Sequence, residues 1–229
     1  MKRNVTNKIN YILDNWVPPI VRDSKIIMSF LFRIVLGKKY HYYMDFKDNI
    51  SHMTEKDINK YYSILADTFL DRDTDLNDSS IAFILKHLKG NKILDAAAGK
   101  GYLAKLIKEK GVSEVTALDI VLPDRCDEGI EYVNGSLTNL PFEDSAFDTV
   151  ICTHALEHVK DIELAMKELK RVCRGHLIVV VPKQREYKYT FDLHINFFPY
   201  RYHVEKLLMG IRADIYMLDN DWVCIGYIE

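Results

Sequence analysis

The chain has 229 residues, and its 31 Lys and Arg against 33 Asp and Glu give a net charge of −2. This balance excludes a pervasively basic nucleic-acid-binding protein. With 48% hydrophobic residues and only 10 Gly and 6 Pro, the chain is also neither collagen-like nor largely disordered. A globular domain with an appended segment is therefore expected.

The four cysteines lie 26, 21 and 51 positions apart, so the sequence predicts neither a Cys-x-x-Cys metal site nor a dense disulfide framework. We interpret them as reduced thiols of a cytoplasmic protein. The apolar stretch from Ile26 to Gly37 is too short for a transmembrane span and contains Arg33. We expect a cytoplasmic location, with peripheral contact to a membrane left open.

The N-terminal part of the chain differs in charge from the rest. Residues 1–60 contain 11 Lys and Arg against 6 Asp and Glu, whereas the remainder contains 20 against 27. Apolar spacing predicts helices from Asn4 to Trp16 and from Ser24 to Leu36, separated by two prolines. We assign residues 1–77 to a helical extension. Its apolar stripe either packs on the main domain or faces a partner or a membrane surface through residues 16–40.

Residues 78–229 alternate between helix and strand patterns, which predicts an α/β domain with a Rossmann-like, open and mostly parallel sheet. Runs such as Val150-Ile151-Cys152 are apolar on successive residues, as strands covered on both faces must be. The turn at Asp219-Asn220-Asp221 predicts a final hairpin, so the last strand is antiparallel. The predicted strands are Lys92–Asp95, Glu114–Ile120, Glu131–Val133, Phe147–Thr153, His176–Pro182, Ile215–Leu218 and Trp222–Ile228, and the predicted helices are Ser79–Leu88, Tyr102–Lys110, Asp161–Cys173 and Tyr200–Met209.

The stretch from Ile93 to Leu103 predicts a strand, a turn of small residues and the start of a helix. Such a turn lets the backbone approach a ligand, and the helix start offers free amides. It also passes as a loose dinucleotide fingerprint. However, Asp95 at the strand end would repel a pyrophosphate and attract an ammonium group, which favours a cationic ligand such as S-adenosylmethionine. Asp119 ends the next strand, where a carboxylate can accept hydrogen bonds from both ribose hydroxyls.

From Ser79 to Glu229 the chain resembles the class I S-adenosylmethionine-dependent methyltransferases, especially the small-molecule group with the ubiquinone/menaquinone-type enzymes. The matching motifs are Asp95 to Gly101, Ala117-Leu118-Asp119-Ile120, Asn134-Gly135-Ser136-Leu137, Leu140-Pro141-Phe142, and Phe147 to Cys152 running into His154-Ala155-Leu156-Glu157-His158-Val159.

This resemblance implies a cofactor that lies across the carboxyl ends of the strands. It implies that Asp95, Ala97, Gly99 and Gly101 line the methionine end and that Asp119 holds the ribose. The implied adenine contacts are Ile120, Ser136 and Leu137, and the residues implied to face the methionine or the methyl group are Thr153 and His154. Two positions depart from the family: Ala97 replaces a more usual Gly, and Ser136 stands where an acid commonly recognises the adenine amine.

The run from His154 to His158 also matches the His-x-x-Glu-His pattern of inverted zinc peptidases. That pattern needs both histidines on one helix, but His154 directly follows a predicted strand. We therefore predict no metal.

The polar and aromatic segment after Pro182 is expected to border the acceptor pocket. In it, Lys183, Arg185 and Lys188 could hold an anionic group, and Tyr187 and Tyr189 could supply apolar walls. A solvated loop with inward-facing rings is the alternative.

Methyl transfer depends mainly on alignment, but a hydroxyl acceptor would benefit from a base. Because a neutral imidazole can accept that proton, His154 and His194 are the predicted catalytic residues.

The favoured function is methyl transfer from S-adenosylmethionine to a small or envelope-linked acceptor, with oxygen preferred as the acceptor atom. A non-catalytic cofactor-fold module and a nicotinamide-dependent oxidoreductase remain as alternatives.

Overall fold

The computed structural model describes residues 11–12, 15–69, 73–189 and 192–229. The chain divides into two compact units. The first combines the N-terminal part, which ends at Asp73, with Gln184–Phe197, and the second combines Thr74–Lys183 with Phe198–Glu229. The sequence analysis places Gln184–Phe197 in the predicted domain 78–229, whereas here this segment belongs to the unit that contains the N-terminal part. The domain boundary at residue 77 stays a prediction.

The N-terminal part of the first unit consists mainly of helices over its described residues. Helix α2 begins after Ser24, whose hydroxyl accepts a hydrogen bond from the Ile27 amide, and ends at Gly37 with a φ of +56°. This confirms the predicted helix from Ser24 to Leu36, whereas most of the predicted helix from Asn4 to Trp16 lies outside the described residues. The helices are α1 (Pro19–Arg22), α2 (Lys25–Leu36), α3 (Tyr40–Asn49) and α4 (Glu55–Phe69), with a 3-10 turn at Gly37–Lys39.

The first unit has its own apolar core, which the segment 184–197 helps to form. Lys47 Nζ donates to the Tyr187 carbonyl over 2.8 Å, and the Tyr62 hydroxyl donates to the Leu193 carbonyl over 3.1 Å. These bonds satisfy buried carbonyls of a segment that has no regular structure of its own. The core consists of Met28, Phe32, Tyr43, Met44, Phe46, Met53, Ile58, Tyr187, Tyr189 and Leu193.

The second unit is a seven-stranded sheet with the order β3-β2-β1-β4-β5-β7-β6. β1 to β5 are parallel, and β7 is antiparallel to both β5 and β6. This confirms the predicted Rossmann-like sheet with an antiparallel last strand. The strands are β1 (Lys92–Ala96), β2 (Glu114–Asp119), β3 (Ile130–Asn134), β4 (Phe147–Thr153), β5 (Cys173–Pro182), β6 (Arg212–Leu218) and β7 (Asp221–Tyr227).

Apolar clusters cover both faces of this sheet. Along β4, Val150 and Cys152 point into one cluster and Ile151 into the other, as the two-residue period of a strand requires. Helices α7 and α8 supply the first cluster, and α5 and α6 supply the second. These helices are α5 (Asp78–His87), α6 (Tyr102–Glu109), α7 (Ile162–Val172) and α8 (Arg201–Leu207).

The predicted final hairpin is present. Asp219 and Asn220 have φ values of +45° and +75°, which is the left-handed pair of a two-residue hairpin turn. All four cysteines are free, and three of them are buried. Among the described residues, no helix is both long and apolar enough to cross a bilayer.

Candidate active site

The loop between β1 and α6 has a tightly turned backbone. Ala97, Gly99 and Gly101 all have positive φ, at +63°, +56° and +80°. An added Cβ on Gly99 would meet nothing within 4 Å, so this glycine leaves open space beside the loop. Among the residues that the structure describes, no side chain caps the start of α6, and its first amides are therefore available to a ligand. Ala97, in place of a glycine, keeps the left-handed turn at a cost of about 1 kcal/mol.

Asp95, at the end of β1, is a buried carboxylate with unmet hydrogen-bonding capacity. The residue is 1% exposed, and neither carboxylate oxygen has a hydrogen-bond partner among the described residues. Burial, followed by the charge of Asp119, raises the pKa of Asp95 to about 7. A buried polar group without partners is costly, so this position calls for a ligand that donates hydrogen bonds and carries positive charge.

Asp119 lies at the end of the neighbouring strand β2 and organises the backbone around it. Its Oδ2 accepts a hydrogen bond from the Gly99 amide over 2.7 Å, and its Oδ1 accepts one from the Val121 amide over 3.1 Å. Asn134 Nδ2 donates to the Ile120 carbonyl over 2.8 Å, which fixes the strand end. The side chain of Ile120 is exposed at this edge. The loop and the end of β2 are thus joined through one half-buried carboxylate.

The loop after β3 contains Ser136 and Leu137. The Ser136 hydroxyl lies 2.9 Å from the Thr138 hydroxyl and accepts a hydrogen bond from the Thr138 amide, so it closes a turn. Leu137 is buried in the cluster that α7 supplies. Ser136 is occupied locally, which leaves its predicted contact with adenine as a prediction.

The side chains of Arg171 and Glu168 hold the same loop through hydrogen bonds that the sequence analysis did not predict. The Arg171 guanidinium donates to both carboxylate oxygens of Glu168 over 2.8 Å and to the carbonyls of Phe142 and Leu140 over 2.7 and 3.0 Å. Glu168 in turn accepts from the Leu140 amide over 3.0 Å. A Glu and an Arg three residues apart on a predicted helix signal a pair, but nothing in the sequence indicates the carbonyls.

His154, directly after β4, lies between two buried carboxylates. Its Nδ1 is 3.4 Å from Glu157 Oε1, and its Nε2 is 3.3 Å from Asp221 Oδ2. Asp221 also accepts from Asn77 Nδ2 over 2.8 Å. The backbone of His154 has a φ of +48°, an uncommon conformation that clusters at functional sites. The preceding Thr153 is half-buried at the strand end.

The two carboxylates change the acid–base character of His154. Burial by itself would lower the pKa, but the hydrogen bonds with Asp221 and Glu157 outweigh burial and raise the pKa to about 10. The ring therefore carries its proton at neutral pH, whereas the general-base role predicted for His154 requires a neutral ring. The geometry favours a cation that holds the ends of β4 and β7 together, and the catalytic role stays a prediction that this charge state opposes.

His194, the other predicted base, belongs to the first unit. It is buried, and its Nδ1 is hydrogen-bonded to Gln184 Oε1, while Gln184 Nε2 contacts the Tyr187 hydroxyl over 2.6 Å. Because the amide oxygen can only accept, Nδ1 is the donor in this hydrogen bond. Gln184 was not among the predicted residues, since a single glutamine has no sequence signal for this role.

The predicted acceptor residues are divided between the two units. Lys183 is exposed in the second unit, while Arg185 and Lys188 are exposed in the first, where Lys188 pairs with Asp48 over 3.4 Å. The rings of Tyr187 and Tyr189 are buried in the first unit's core. The two rings thus match the inward-facing alternative, and the predicted anion-binding role of the three cations stays a prediction.

The predicted cofactor residues of the second unit gather at one edge of the sheet. β1 pairs with β2 on one side and with β4 on the other, so the carboxyl ends that bear Asp95, Asp119 and Thr153 are adjacent. This is the point where the strand order reverses, and open α/β sheets bind ligands there. The contacts of these residues with a cofactor remain predictions.

The local charge at this edge is negative. Burial, followed by the charges of Glu157 and Asp95, raises the pKa of the Cys152 thiol well above its usual value, so both carboxylates act on this strand end. Glu157 Oε2, like the oxygens of Asp95, has no partner among the described residues. His154 and His158 do not share a helix, because a 3-10 turn at Leu156–His158 separates β4 from α7. That arrangement differs from the one the zinc interpretation requires.

Comparison with known proteins agrees with this geometry. Residues 94–180 match the family model described as a methyltransferase domain. A demethylmenaquinone methyltransferase of Paenarthrobacter aurescens is 34% identical over 97 residues, covering 39% of this chain and 38% of the relative. The ubiquinone/menaquinone biosynthesis C-methyltransferase UbiE of Legionella pneumophila is 35% identical over 112 residues, covering 42% and 45%. The chain thus spans less than half the length of these two relatives.

Solved structures show the same fold. A 1,6-didemethyltoxoflavin-N1-methyltransferase of Burkholderia thailandensis, with bound 1,6-didemethyltoxoflavin and S-adenosylhomocysteine, superimposes with a TM-score of 0.60 at 18% identity, covering 76% of this chain and 86% of that one. A Pyrococcus horikoshii protein gives a TM-score of 0.59 at 21% identity, covering 74% and 99%.

The sheet of the second unit has a Rossmann-like order, and residues 94–180 within it match a methyltransferase domain. The curated relatives that this part of the chain is similar to are named as ubiquinone/menaquinone-type methyltransferases, which confirms the resemblance found in the sequence.

Proposed function

We propose that this protein transfers a methyl group from S-adenosylmethionine to a small-molecule acceptor. The observation that carries the proposal is Asp95, a buried carboxylate at the switch point of the sheet whose two oxygens lack partners. The ammonium group of S-adenosylmethionine supplies the positive charge and the hydrogen-bond donors that this position needs. The cofactor, when bound, provides the methyl group on a sulfonium.

The other residues of the edge fit the remaining parts of the cofactor. The open space beside Gly99 and the free amides at the start of α6 suit the methionine end, together with Ala97 and Gly101. Asp119 suits the ribose hydroxyls, and the exposed Ile120 suits one face of the adenine. Thr153 and His154 end the strand on the opposite side of β1, where they would border the methyl group.

The two alternative functions are less well supported. A dinucleotide would bring a pyrophosphate to an edge that already holds the carboxylates of Asp95 and Asp119, and Coulomb repulsion would weaken its binding. A non-catalytic module has no need to keep Asp95 buried without partners, because this arrangement costs stability. The structural neighbour with S-adenosylhomocysteine bound supports the same cofactor here.

The proposed acceptor is a small aromatic molecule. Curated relatives are named for demethylmenaquinone and for 2-phytyl-1,4-beta-naphthoquinone, and a structural neighbour holds 1,6-didemethyltoxoflavin. Because one relative is named as a C-methyltransferase and one neighbour as an N-methyltransferase, the oxygen preference stays a prediction. His194 is the proposed base for a hydroxyl acceptor; its Nδ1 is engaged with Gln184, and Nε2 is the ring nitrogen that takes the proton in this proposal.

Calorimetric titration of the full chain with S-adenosylhomocysteine and with NADH tests the cofactor. We expect binding of the first and none of the second. The Asp95→Asn variant should lose affinity, and Asp124→Asn, which changes an exposed carboxyl in the loop after β2, is the matched control. Binding of NADH alone would refute the proposal. Mass spectrometry after incubation with S-adenosylmethionine and a demethylated naphthoquinone, a phenol or an N-heteroaromatic acceptor then identifies the acceptor atom.

A further inference from the structure

Helix α2 has two apolar faces, of which only one is buried. Met28 and Phe32 lie in the core of the first unit. On another side of the helix Ile26 is 84% exposed, Phe30 is 66% exposed and Ile34 is 67% exposed. These three residues are four positions apart and therefore form one continuous row.

A second exposed row lies beside the first. Ile27, Leu31 and Val35 are also exposed and are again four positions apart. At 100° per residue, the two rows together cover about half the circumference of the helix. Single exposed apolar residues are common on soluble proteins, but six large ones on one helix face form a contiguous patch that indicates an interaction surface.

Polar and cationic side chains border this apolar face. Lys25, Ser29 and Arg33 follow one another at the same four-residue spacing, and with Ile26 and Phe30 they line a surface depression of about 330 Å³. A row of cations and a hydroxyl thus runs parallel to the apolar rows. Anionic oxygen atoms bind to such a row, and acyl chains pack on the apolar residues beside it.

Arg33 is held at this position by an aromatic neighbour. Its Nη2 donates to the Tyr40 hydroxyl over 2.7 Å, and its guanidinium lies 4.7 Å from the centre of the Tyr40 ring. No carboxylate of the described residues pairs with Lys25 or Arg33. The positive charge at the border is therefore not neutralised within this part of the chain.

We propose that the α2 surface, made up of Ile26, Phe30 and Ile34 with the bordering row Lys25, Ser29 and Arg33, binds a bilayer that contains anionic lipids. Because one face of α2 is buried in the core of the first unit, the helix presents its exposed face side-on and lies in the plane of the interface. The charge of residues 1–60, with 11 Lys and Arg against 6 Asp and Glu, complements such a surface. The inference is independent of the proposed methyl transfer.

Vesicle flotation with the full chain tests the proposal. Vesicles of pure phosphatidylcholine are compared with vesicles that contain phosphatidylglycerol in addition, each at low and high salt. We expect binding to the anionic vesicles, weakened by salt because surface charges are screened. The double variant Lys25→Gln and Arg33→Gln, which removes both cations of the bordering row, should bind about 25-fold more weakly, at about fivefold for each cation removed.

Substitutions on the apolar face separate insertion from simple charge attraction. The double variant Phe30→Ser and Ile34→Ser should lose at least tenfold in binding to the same vesicles. Met209→Ser removes an exposed apolar side chain of the second unit, and Lys167→Gln with Lys206→Gln removes two exposed cations there. These controls should bind as the unchanged chain does.

Two results would overturn the proposal. The first is that the unchanged chain floats equally with neutral and anionic vesicles, or with neither. This measurement uses no variant, so it does not depend on whether a variant folds. The second is a dimer in sedimentation that Phe30→Ser with Ile34→Ser converts to monomers, since the α2 surface would then join two copies of the chain.

Discussion

Replacement of Asp95 by asparagine should make the protein more stable at alkaline pH and less able to bind its cofactor. The side chain keeps its size but loses the charge. The pKa of Asp95 is raised from 3.8 to about 7 in the folded chain, so the folded state favours the protonated form. For an acid whose folded pKa is raised, stability falls as the pH increases from the unfolded to the folded pKa.

The magnitude follows from the size of the shift. A difference of about three pKa units corresponds to about 4 kcal/mol of lost stability once the pH is above 7. Asp95 is 1% exposed, so solvent screening does not reduce this value substantially. The asparagine amide is itself buried without an assigned partner, which costs about 1–3 kcal/mol. The net gain of Asp95→Asn at pH 8 should therefore be about 1–3 kcal/mol.

Urea unfolding at pH 4.5 and at pH 8 measures this difference. Asp95→Asn should be more stable than the unchanged chain at pH 8 and should lose this advantage at pH 4.5, where Asp95 in the folded chain is protonated. Asp124→Asn, the exposed control, should change little at either pH. A loss of stability in Asp95→Asn of the same size at both pH values would refute the assignment of a raised pKa.

Cofactor binding should change in the opposite direction. Loss of the charged hydrogen bonds to an ammonium group costs about 1.5–3 kcal/mol, or about 10- to 150-fold in affinity for S-adenosylhomocysteine. In the unchanged chain, affinity should also fall as the pH drops below 7, because Asp95 becomes neutral. If Asp95→Asn bound S-adenosylhomocysteine as tightly as the unchanged chain, Asp95 would not contact the amino group.

Three further substitutions have defined outcomes. Because the folded pKa of His154 is about 10, the protonated ring stabilises the protein fully below pH 6.5, and this stabilisation is lost as the pH rises through 10. His154→Gln should therefore lower the free energy of unfolding by about 3 kcal/mol at pH 6. The same variant should flatten the pH dependence of that free energy between pH 6.5 and 10. His194→Ala should leave the affinity for S-adenosylhomocysteine within twofold and slow turnover of a hydroxyl acceptor at least 100-fold, and unchanged turnover would remove it from the chemistry. Gly101→Ala should destabilise the chain, because Gly101 has a φ of +80° and a methyl group there would meet the Tyr132 side chain. Adding Tyr132→Phe should restore part of the lost stability, because it removes the hydroxyl oxygen that lies nearest to the new methyl group. Thermal unfolding of the single and double variants checks this prediction.

The sheet of the second unit could be predicted because its signals are local. Both ends of each predicted strand and helix from Ser79 onward lie within three residues of the ends in the structure. Runs of apolar residues predict buried strands, and Gly99 and Gly101 mark the point where one of them turns into a helix. Since the carboxyl ends of parallel strands share an edge, this level of description was enough to bring Asp95 and Asp119 together.

The charge state of His154 could not be predicted, because it depends on a residue 67 positions away. Asp221 starts β7 and lies opposite Pro182 only because β7 is antiparallel to β5 in this register. A one-residue shift in register would turn the carboxylate to the other face of the sheet. The local sequence around His154 contains Glu157 but not Asp221. The predicted role as a base therefore assumed a neutral ring.

Helices α3 and α4 were also missed. The ten residues of α3 combine four aromatic rings with polar and charged residues, so an apolar stripe is weak, and only Tyr43, Met44 and Phe46 are buried. Their partners include Tyr187 and Tyr189, which lie more than 140 positions later in the chain. Packing that arises from such distant segments leaves little trace in the local pattern.

The discontinuous make-up of the first unit sets the order in which the chain can mature on the ribosome. Its helices emerge early, yet Tyr187, Tyr189 and Leu193 follow only after five strands of the other unit have been made. Until then the nascent N-terminal helices have an incomplete core and depend on protection from aggregation. A fragment ending at residue 77 would lack Tyr187, Tyr189 and Leu193, and its apolar core would stay incomplete.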